Sequence, residues 1–304
     1  MFKASFLESF SKKYYNSFLL VFGVSILGVS DNILLMLSEN IGLAQFHFLR
    51  SVISICFIIV LSRLTGLSIK YKNLKAVLIR SIFIVISMVI FFGTLPIVSA
   101  AGAGAGLFTS PIFVVCFSLI FLKIIPNIFN ILAIIAGSFG IWLVLNPWSE
   151  GFNFINFFPI LAGAFYAAGV MITKNLCANE PPLALLTMFF MVIGSLGLVF
   201  SISAENIFHD SKDMDFILRG WKEISLSQIY IISLMSFLTI IGIWMMTIAY
   251  QAEDTSYLAP YEYTYLISAS FFGWLFWENT ISIKMIMGML LIFLAGAIIS
   301  KSKA

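Results

Sequence analysis

Asp31, Arg50 and Glu262 are ionisable side chains set inside long apolar runs. A charge at bilayer depth costs about 2.5–3.5 kcal/mol on insertion scales, so such a residue turns to the protein interior and marks a working site. Asp31, next to Asn32, lies about 13 residues into the first run, and Arg50 about seven into the second, which puts them at similar depth in one half of the membrane. His47, Arg50, Ser51 and Ser54 share a helix face by the i, i+3, i+4, i+7 rule. Two chemistries fit. Asp31 and Arg50 form an ion pair that locks two helices, or the guanidinium grips a solute carboxylate through two hydrogen bonds. Glu262 follows Pro260 by two residues, is flanked by Tyr261 and Tyr263, and has Tyr257, Tyr261 and Tyr265 on one helical face. A carboxylate there neutralises a cationic group, with tyrosine faces adding cation–π attraction, or carries a proton. The structural alternative is a glutamate bonded to helix ends. Ser236, Thr239, Thr247 and Tyr250 form a second polar stripe, and Trp244 and Tyr166 are aromatic walls or packing groups.

The elements that position these residues follow from composition. Of 304 residues, 61% are hydrophobic and 10% charged, against about 25% charged in soluble domains, so the chain reads as all-α and membrane-embedded. A helix needs about 20 apolar residues to cross the bilayer. Ten runs qualify: Phe18–Leu37, Leu43–Leu61, Ala76–Leu95, Ser99–Leu122, Ile128–Leu145, Phe154–Thr173, Leu183–Ser203, Gln228–Tyr250, Leu258–Trp277 and Ile283–Ser300. The first is too long for a signal-peptide core and is read as a retained helix. Short connections predict that sequential helices are antiparallel neighbours. The exception, 204–227, carries nine acidic, basic and histidine side chains and reads as a water-facing loop. With both termini in the cytoplasm, the inner segments hold Lys3, Lys12, Lys13, Arg63, Lys70, Lys72, Lys75, Arg80, Lys123, Lys174, Lys301 and Lys303, and the outer ones only Lys212, Arg219, Lys222 and Lys284. That bias predicts cytoplasmic ends in a bacterial inner membrane.

The chain also repeats itself. LPIVSAAGAGAGLFTSPIF carries Pro111 in the fourth run, and AEDTSYLAPYEYTYLISASF carries Pro260 in the ninth; the runs that follow carry Gly137 and Gly288. Residues 1–149 and 150–304 are therefore read as two five-helix repeats. Five is odd, so the second enters from the opposite side, the inverted arrangement used for alternating access around a midplane site. The prolines are kinks, hinges or both. The small residues of 99–106 let helices approach closely; without a following Lys-Ser or Lys-Thr they are no phosphate loop.

Cys56, Cys116 and Cys177 are odd in number and widely spaced, which argues against disulfides and zinc and for small buried packing groups. His47 and His209 stand apart. No metal or cofactor is expected. No clustered nucleophile and base points to an embedded enzyme, no filter or charged ring to a channel, and the small net charge of +3 gives no reason to expect nucleic acid. The partners expected are a small-molecule substrate and the lipid bilayer.

These strings resemble the drug/metabolite transporter superfamily in its ten-helix EamA-type branch. The resemblance rests on Asp31-Asn32, on FHFLRS at 46–51, on TSPIF at 109–113, on LAPYEYT at 258–264, and on Trp277-Glu278 before a glycine-bearing last helix. It departs at Lys123 and Pro126, where the branch often has a glutamate. It implies an inverted-repeat bundle with a central cavity and gradient-driven or exchange movement of a small metabolite. Within the branch the chain looks closest to S-adenosylmethionine uptake carriers; amino acids, riboflavin and exported toxic compounds are the other cargoes implied.

Overall fold

The computed structural model describes residues 2–95, 97–98, 100–107, 109–123, 125, 127–145, 157–207, 215–278 and 282–302. Ser99, Pro126, Phe154, His209, Lys212 and Lys303 lie outside them. The described residues are helical, without strands. They form α1 (Phe2–Ser38), α2 (Leu43–Thr65), α3 (Leu74–Thr94), α4 (Ala100–Leu107), α5 (Ser110–Phe121), α6 (Ile128–Leu145), α7 (Phe158–Leu176), α8 (Pro182–Ile207), α9 (Leu226–Ala252), α10 (Thr255–Leu258), α11 (Thr264–Trp277) and α12 (Ile283–Ser302). All ten apolar runs are mostly helical over their described residues, with turn or bend residues at Leu95, Thr109 and Leu122.

Local chemistry sets the ends. The Asn73 side chain accepts from Ala76 N at 3.1 Å and starts α3. Ser225 and Gln228 form a reciprocal capping box at the start of α9. Gly66, at φ 72°, closes α2 in the left-handed region. Among the described residues, five helices are long and apolar enough to cross a membrane: Tyr14–Ser38, Leu43–Thr65, Leu74–Thr94, Pro182–Ala204 and Leu226–Ala252. Their outer faces carry large bare side chains, with Phe200 65% exposed. That surface suits lipid and not water. The chain is an integral membrane protein.

Two runs are not single helices. The fourth is divided into α4 and α5, with Pro111 buried in the first turn of α5. The ninth is α10, a 3-10 segment Ala259–Tyr263 that contains Pro260, and then α11. Proline has no amide hydrogen, so an α-helix running through it loses a backbone bond. Each run breaks beside its proline.

The helix neighbours differ from expectation. The most extensive packing joins α1 to α9, α2 to α8, α3 to α7 and α6 to α12, while sequential helices touch little. A short turn fixes direction but not which faces meet. In lipid no hydrophobic force favours the sequential partner, so close-fitting small residues decide. A Cβ on Gly23 of α1 would stand 2.8 Å from the Gly242 carbonyl of α9, so the glycine pair sets that approach.

Polar clasps sit at both ends of the bundle. At one, Gln45 Nε2 donates to Lys222 O at 2.6 Å and Lys222 N to Gln45 Oε1 at 3.1 Å. Arg219 Nη1 donates to Ser38 O at 2.7 Å there, and Phe216 is buried. Phe216, Arg219 and Lys222 of the 204–227 segment are thus bonded to the α1–α2 turn and the start of α2, while Asp215, Ile217, Leu218 and Glu223 are exposed. At the other end, Gln251 Nε2 donates to Cys177 O and Glu180 O, both at 2.7 Å. The Glu180 carboxylate there accepts from Lys72 N and Asn73 N at 2.7 and 2.8 Å.

Candidate functional site

Between the clasps lies a cavity of about 80 Å³. Asp31 of α1, Arg50 of α2, Arg80 of α3, Tyr166 and Thr173 of α7, Thr239, Thr247 and Tyr250 of α9 and Tyr265 of α11 line it, with apolar side chains between them. Helices from both halves supply its polar groups.

Asp31 and Arg50 share this space without a direct ion pair. Asp31 Oδ2 accepts from Tyr265 OH at 2.9 Å. Arg50 Nη2 donates to Thr239 Oγ1 at 2.5 Å, and the Arg50 backbone oxygen accepts from Ser236 Oγ at 3.4 Å. The guanidinium carbon lies 5.4 Å from the Phe46 ring centre and 5.0 Å from that of Phe92, within cation–π range. Arg50 Nε has no hydrogen-bond partner among the described residues. Aspartate and arginine feel each other's charge, but each is held by a hydroxyl group, so neither is consumed by the other. Of the two expectations, the locking ion pair is absent as a contact. The face His47, Arg50, Ser51, Ser54 is buried as a unit.

Glu262 stands behind the cavity wall, fully buried. Its Oε1 accepts from Tyr166 OH at 2.7 Å and Tyr250 OH at 2.5 Å. Ser110 Oγ donates to Oε2 at 3.3 Å. The 3-10 segment carries Glu262, and the break before α5 sets Ser110 in the turn opposite. The two interrupted runs thus meet at one carboxylate. Tyr166 and Tyr250 both line the cavity, so Glu262 touches it through them.

The other expected residues are spread more widely. Asn32 is a structural tie: Nδ2 donates to Gly28 O at 2.8 Å and to Ala269 O at 3.0 Å, and its own carbonyl accepts from Trp277 Nε1 at 3.1 Å. Asp31 and Asn32 are about 100° apart around the helix, so one faces the cavity and its neighbour faces α11. The three tyrosines do not act as one stripe. Tyr257 and Tyr261 pair hydroxyl to hydroxyl at 3.4 Å, and Ser17 Oγ donates to Tyr257 OH at 3.2 Å, whereas Tyr265 reaches Asp31. The tighter 3-10 turn between them changes the angular step per residue. His47 lines a separate apolar crevice with Leu43, Val89 and Phe200. Trp244 packs half-buried against the core outside the cavity lining. Cys56 and Cys116 are exposed on helix faces, where buried packing groups were expected; Cys177 is buried.

Arg80 was counted above with the inner-face charges. It is 5% exposed, lines the cavity, and donates from Nε to Thr173 Oγ1 at 3.0 Å. The signal was present: Arg80 falls inside the third apolar run. Ser110 and Thr173 were also missed, because a hydroxyl group in a membrane helix gives no sign of its partner.

Comparison with known proteins gives this geometry a context. Residues 153–301 match the EamA-like transporter family. A protein of Rhizobium johnstonii named riboflavin transporter is 24% identical over 55% of this chain and 51% of its own length. A second riboflavin transporter, from Vibrio cholerae, is 22% identical over 56% of this chain and 52% of its own. The chain thus spans about half the length of these two relatives. The pseudopaline exporter CntI of Pseudomonas aeruginosa is 23% identical over 88% of this chain and 89% of its own. A crystal structure at 15% identity superposes with a TM-score of 0.73 over 94% of this chain and 97% of the other, which shows a shared fold. Residues 153–301 are thus similar to the EamA-like transporter family, and the relatives named here are called transporters or exporters.

Proposed function

We propose that the chain is a secondary-active transmembrane transporter that moves a small organic metabolite by alternating access. The observation that carries this reading is a largely apolar cavity that holds ionisable and hydroxyl groups from both halves and is flanked by two helix breaks. A pocket for a drug-sized ligand has a volume of about 300–1,000 Å³, so a cavity of about 80 Å³ must widen to take cargo. The breaks beside Pro111 and Pro260 give α5 and α11 freedom to do so.

The packing supports an inverted repeat of residues 1–149 and 150–304. If span n corresponds to span n+5, the second pairs with its mate the seventh as α2 with α8, and the fifth with the tenth as α6 with α12. The first pairs with the eighth as α1 with α9, and the matching third with sixth as α3 with α7. These four are the most extensive contacts. A ten-span bundle with cytoplasmic ends in a bacterial inner membrane belongs to the same reading.

Asp31, Arg50 and Tyr265 are the groups proposed to meet the cargo. Glu262 acts as a positioning or proton-coupling residue through Tyr166 and Tyr250. An amino-acid-like or S-adenosylmethionine-like solute fits a carboxylate and a guanidinium across one cavity. Riboflavin and exported metabolites are the cargoes that the relatives' names bring. The test is uptake of labelled amino acids, S-adenosylmethionine and riboflavin by purified protein in liposomes. Saturable uptake of one of them, lost in Asp31→Asn, is expected. Uptake no faster than in empty liposomes for all of them, under an imposed proton gradient and in exchange mode, refutes the carrier reading for these classes.

A further inference from the structure

Arg80 is a cavity charge with no counter-charge in contact among the described residues. Its Nε is engaged by Thr173 Oγ1, whose own hydroxyl donates to Gly169 O at 2.9 Å and is thereby held as an acceptor. Nη1 has no partner. The groups whose charge it feels are the Cys177 thiol and the Tyr166 phenol, both neutral near pH 7 by their ordinary values. The carboxylate beyond Tyr166, that of Glu262, already accepts from three hydroxyls. A guanidinium is a rigid fork of five donors that keeps its charge. Buried with one donor used and no anion in contact, it is costly unless something else completes it.

Its place indicates what completes it. Arg80 is six residues from the start of α3 and Arg50 seven from the start of α2, and these helices run in opposite directions. Along the bundle axis the two are roughly 12 Å apart at 1.5 Å per residue. The cavity therefore has an Asp31–Arg50 end and an Arg80 end. Only the first has a carboxylate in its lining.

We propose that Arg80, oriented by Thr173, forms an anion subsite that takes a carboxylate, or another singly charged oxyanion group, of the transported solute, while Asp31 and Arg50 face the solute's other end. This rests on the carrier reading for its cargo, but the subsite can be tested without transport.

The probe is sodium formate, small enough for the cavity, titrated into detergent-purified full-length protein against sodium chloride at equal ionic strength. The melting temperature is expected to rise saturably with formate, since a ligand of the folded state stabilises it. In Arg80→Gln the apparent affinity falls by about tenfold or more, the loss of one charge-assisted hydrogen bond. Thr173→Val, which keeps the charge but frees the fork, weakens formate less, and Arg80→Lys retains part of the response. Arg80→Gln removes an uncompensated buried charge, so it is expected to fold; should it fail, Thr173→Val and Arg80→Lys carry the test. A wild-type response to formate no greater than to chloride overturns the subsite, as does a full response in Arg80→Gln. Formate stabilisation lost in that variant, with no cargo transported, keeps the subsite and removes the carrier. Transport that neither formate nor Arg80→Gln affects keeps the carrier and removes the subsite.

Discussion

Three hydroxyls converge on the Glu262 carboxylate, and their geometry separates two substitutions. In Glu262→Gln the amide oxygen can still accept from Tyr166 and Tyr250, and the amide nitrogen can donate to Ser110. Folding is expected to survive, while a carboxylate charge or proton is lost, so uptake should fall sharply. Glu262→Leu instead strands two buried phenols, at a cost of about 1–3 kcal/mol each in water-soluble proteins and about 0.6 kcal/mol on average in membrane helices. A melting temperature clearly below that of the Gln variant is the expected result. Equal melting of the two would show that the network does not hold the tyrosines. Normal uptake by Glu262→Gln would remove Glu262 from the mechanism. A similar contrast separates adjacent residues in α1. Asn32→Ala cuts two side-chain bonds, one of them to α11, and should lower stability. Asp31→Asn, facing the cavity, should lower uptake with little change in melting. Asp31, Arg50 and Glu262 were legible in the sequence because an ionisable group in an apolar run is anomalous. Of their partners, Thr239, Tyr166, Tyr250 and Tyr265 were marked as polar or aromatic candidates without being assigned to them, and Ser110 was not marked, since a hydroxyl group in a membrane helix does not reveal what it bonds. Arg80 was open to the same argument as Arg50. It was missed because it stands near the start of its run, where snorkelling to the surface is the common outcome.

At the scale of elements, the prolines announced the two breaks but not their form. A proline marks where a helix loses a bond; whether the chain answers with a kink, a 3-10 turn or a new helix depends on what packs there. Near the break, Tyr265 occupies space that a side chain on α4 would need. A Cβ on Gly104 would overlap the Tyr265 ring. Gly104→Ala is therefore expected to push Tyr265 off Asp31, destabilise the protein by about 1–3 kcal/mol through overpacking, and reduce uptake. Adding Tyr265→Leu makes room, so the double variant should regain most of the melting temperature but not the uptake, because Asp31 has lost its donor. If Gly104→Ala alone melts and transports like wild type, the close approach does not govern the site. The helix runs themselves were readable from apolar length. Their neighbours were not: direction follows from a short turn, but face-to-face contact in lipid depends on shape.

The whole molecule is interleaved. Among the described residues its four most extensive helix contacts all join residues 1–149 to residues 150–304, so neither segment packs as a folding unit of its own. Expressed separately, each half should be degraded or aggregate; expressed together as two chains, they should copurify and bind the same ligands as the intact protein. A half that is monodisperse and stable alone would contradict this packing. The same interleaving bears on access. The cavity lies between one clasp built on Gln45 and Lys222 and another in which Gln251 holds Cys177 and Glu180 while the Glu180 carboxylate accepts from Lys72 N and Asn73 N, so each clasp includes bonds between opposite halves. Alternating access requires that each open while the other stays shut. Weakening one should therefore bias the protein toward its side. Thr239, in the cavity wall, is a suitable reporter as Thr239→Cys, in a background with Cys56, Cys116 and Cys177 changed to serine. Gln45→Ala removes two hydrogen bonds at its end, and Gln251→Ala removes two at the other. In oriented vesicles, a membrane-impermeant maleimide should label the introduced thiol faster from the Gln45 side in the first variant and from the Gln251 side in the second. The two accelerations should be opposite in sidedness and should also fix which face is cytoplasmic. Labelling that speeds up from both sides at once in either variant would describe a pore, and alternating access would be excluded.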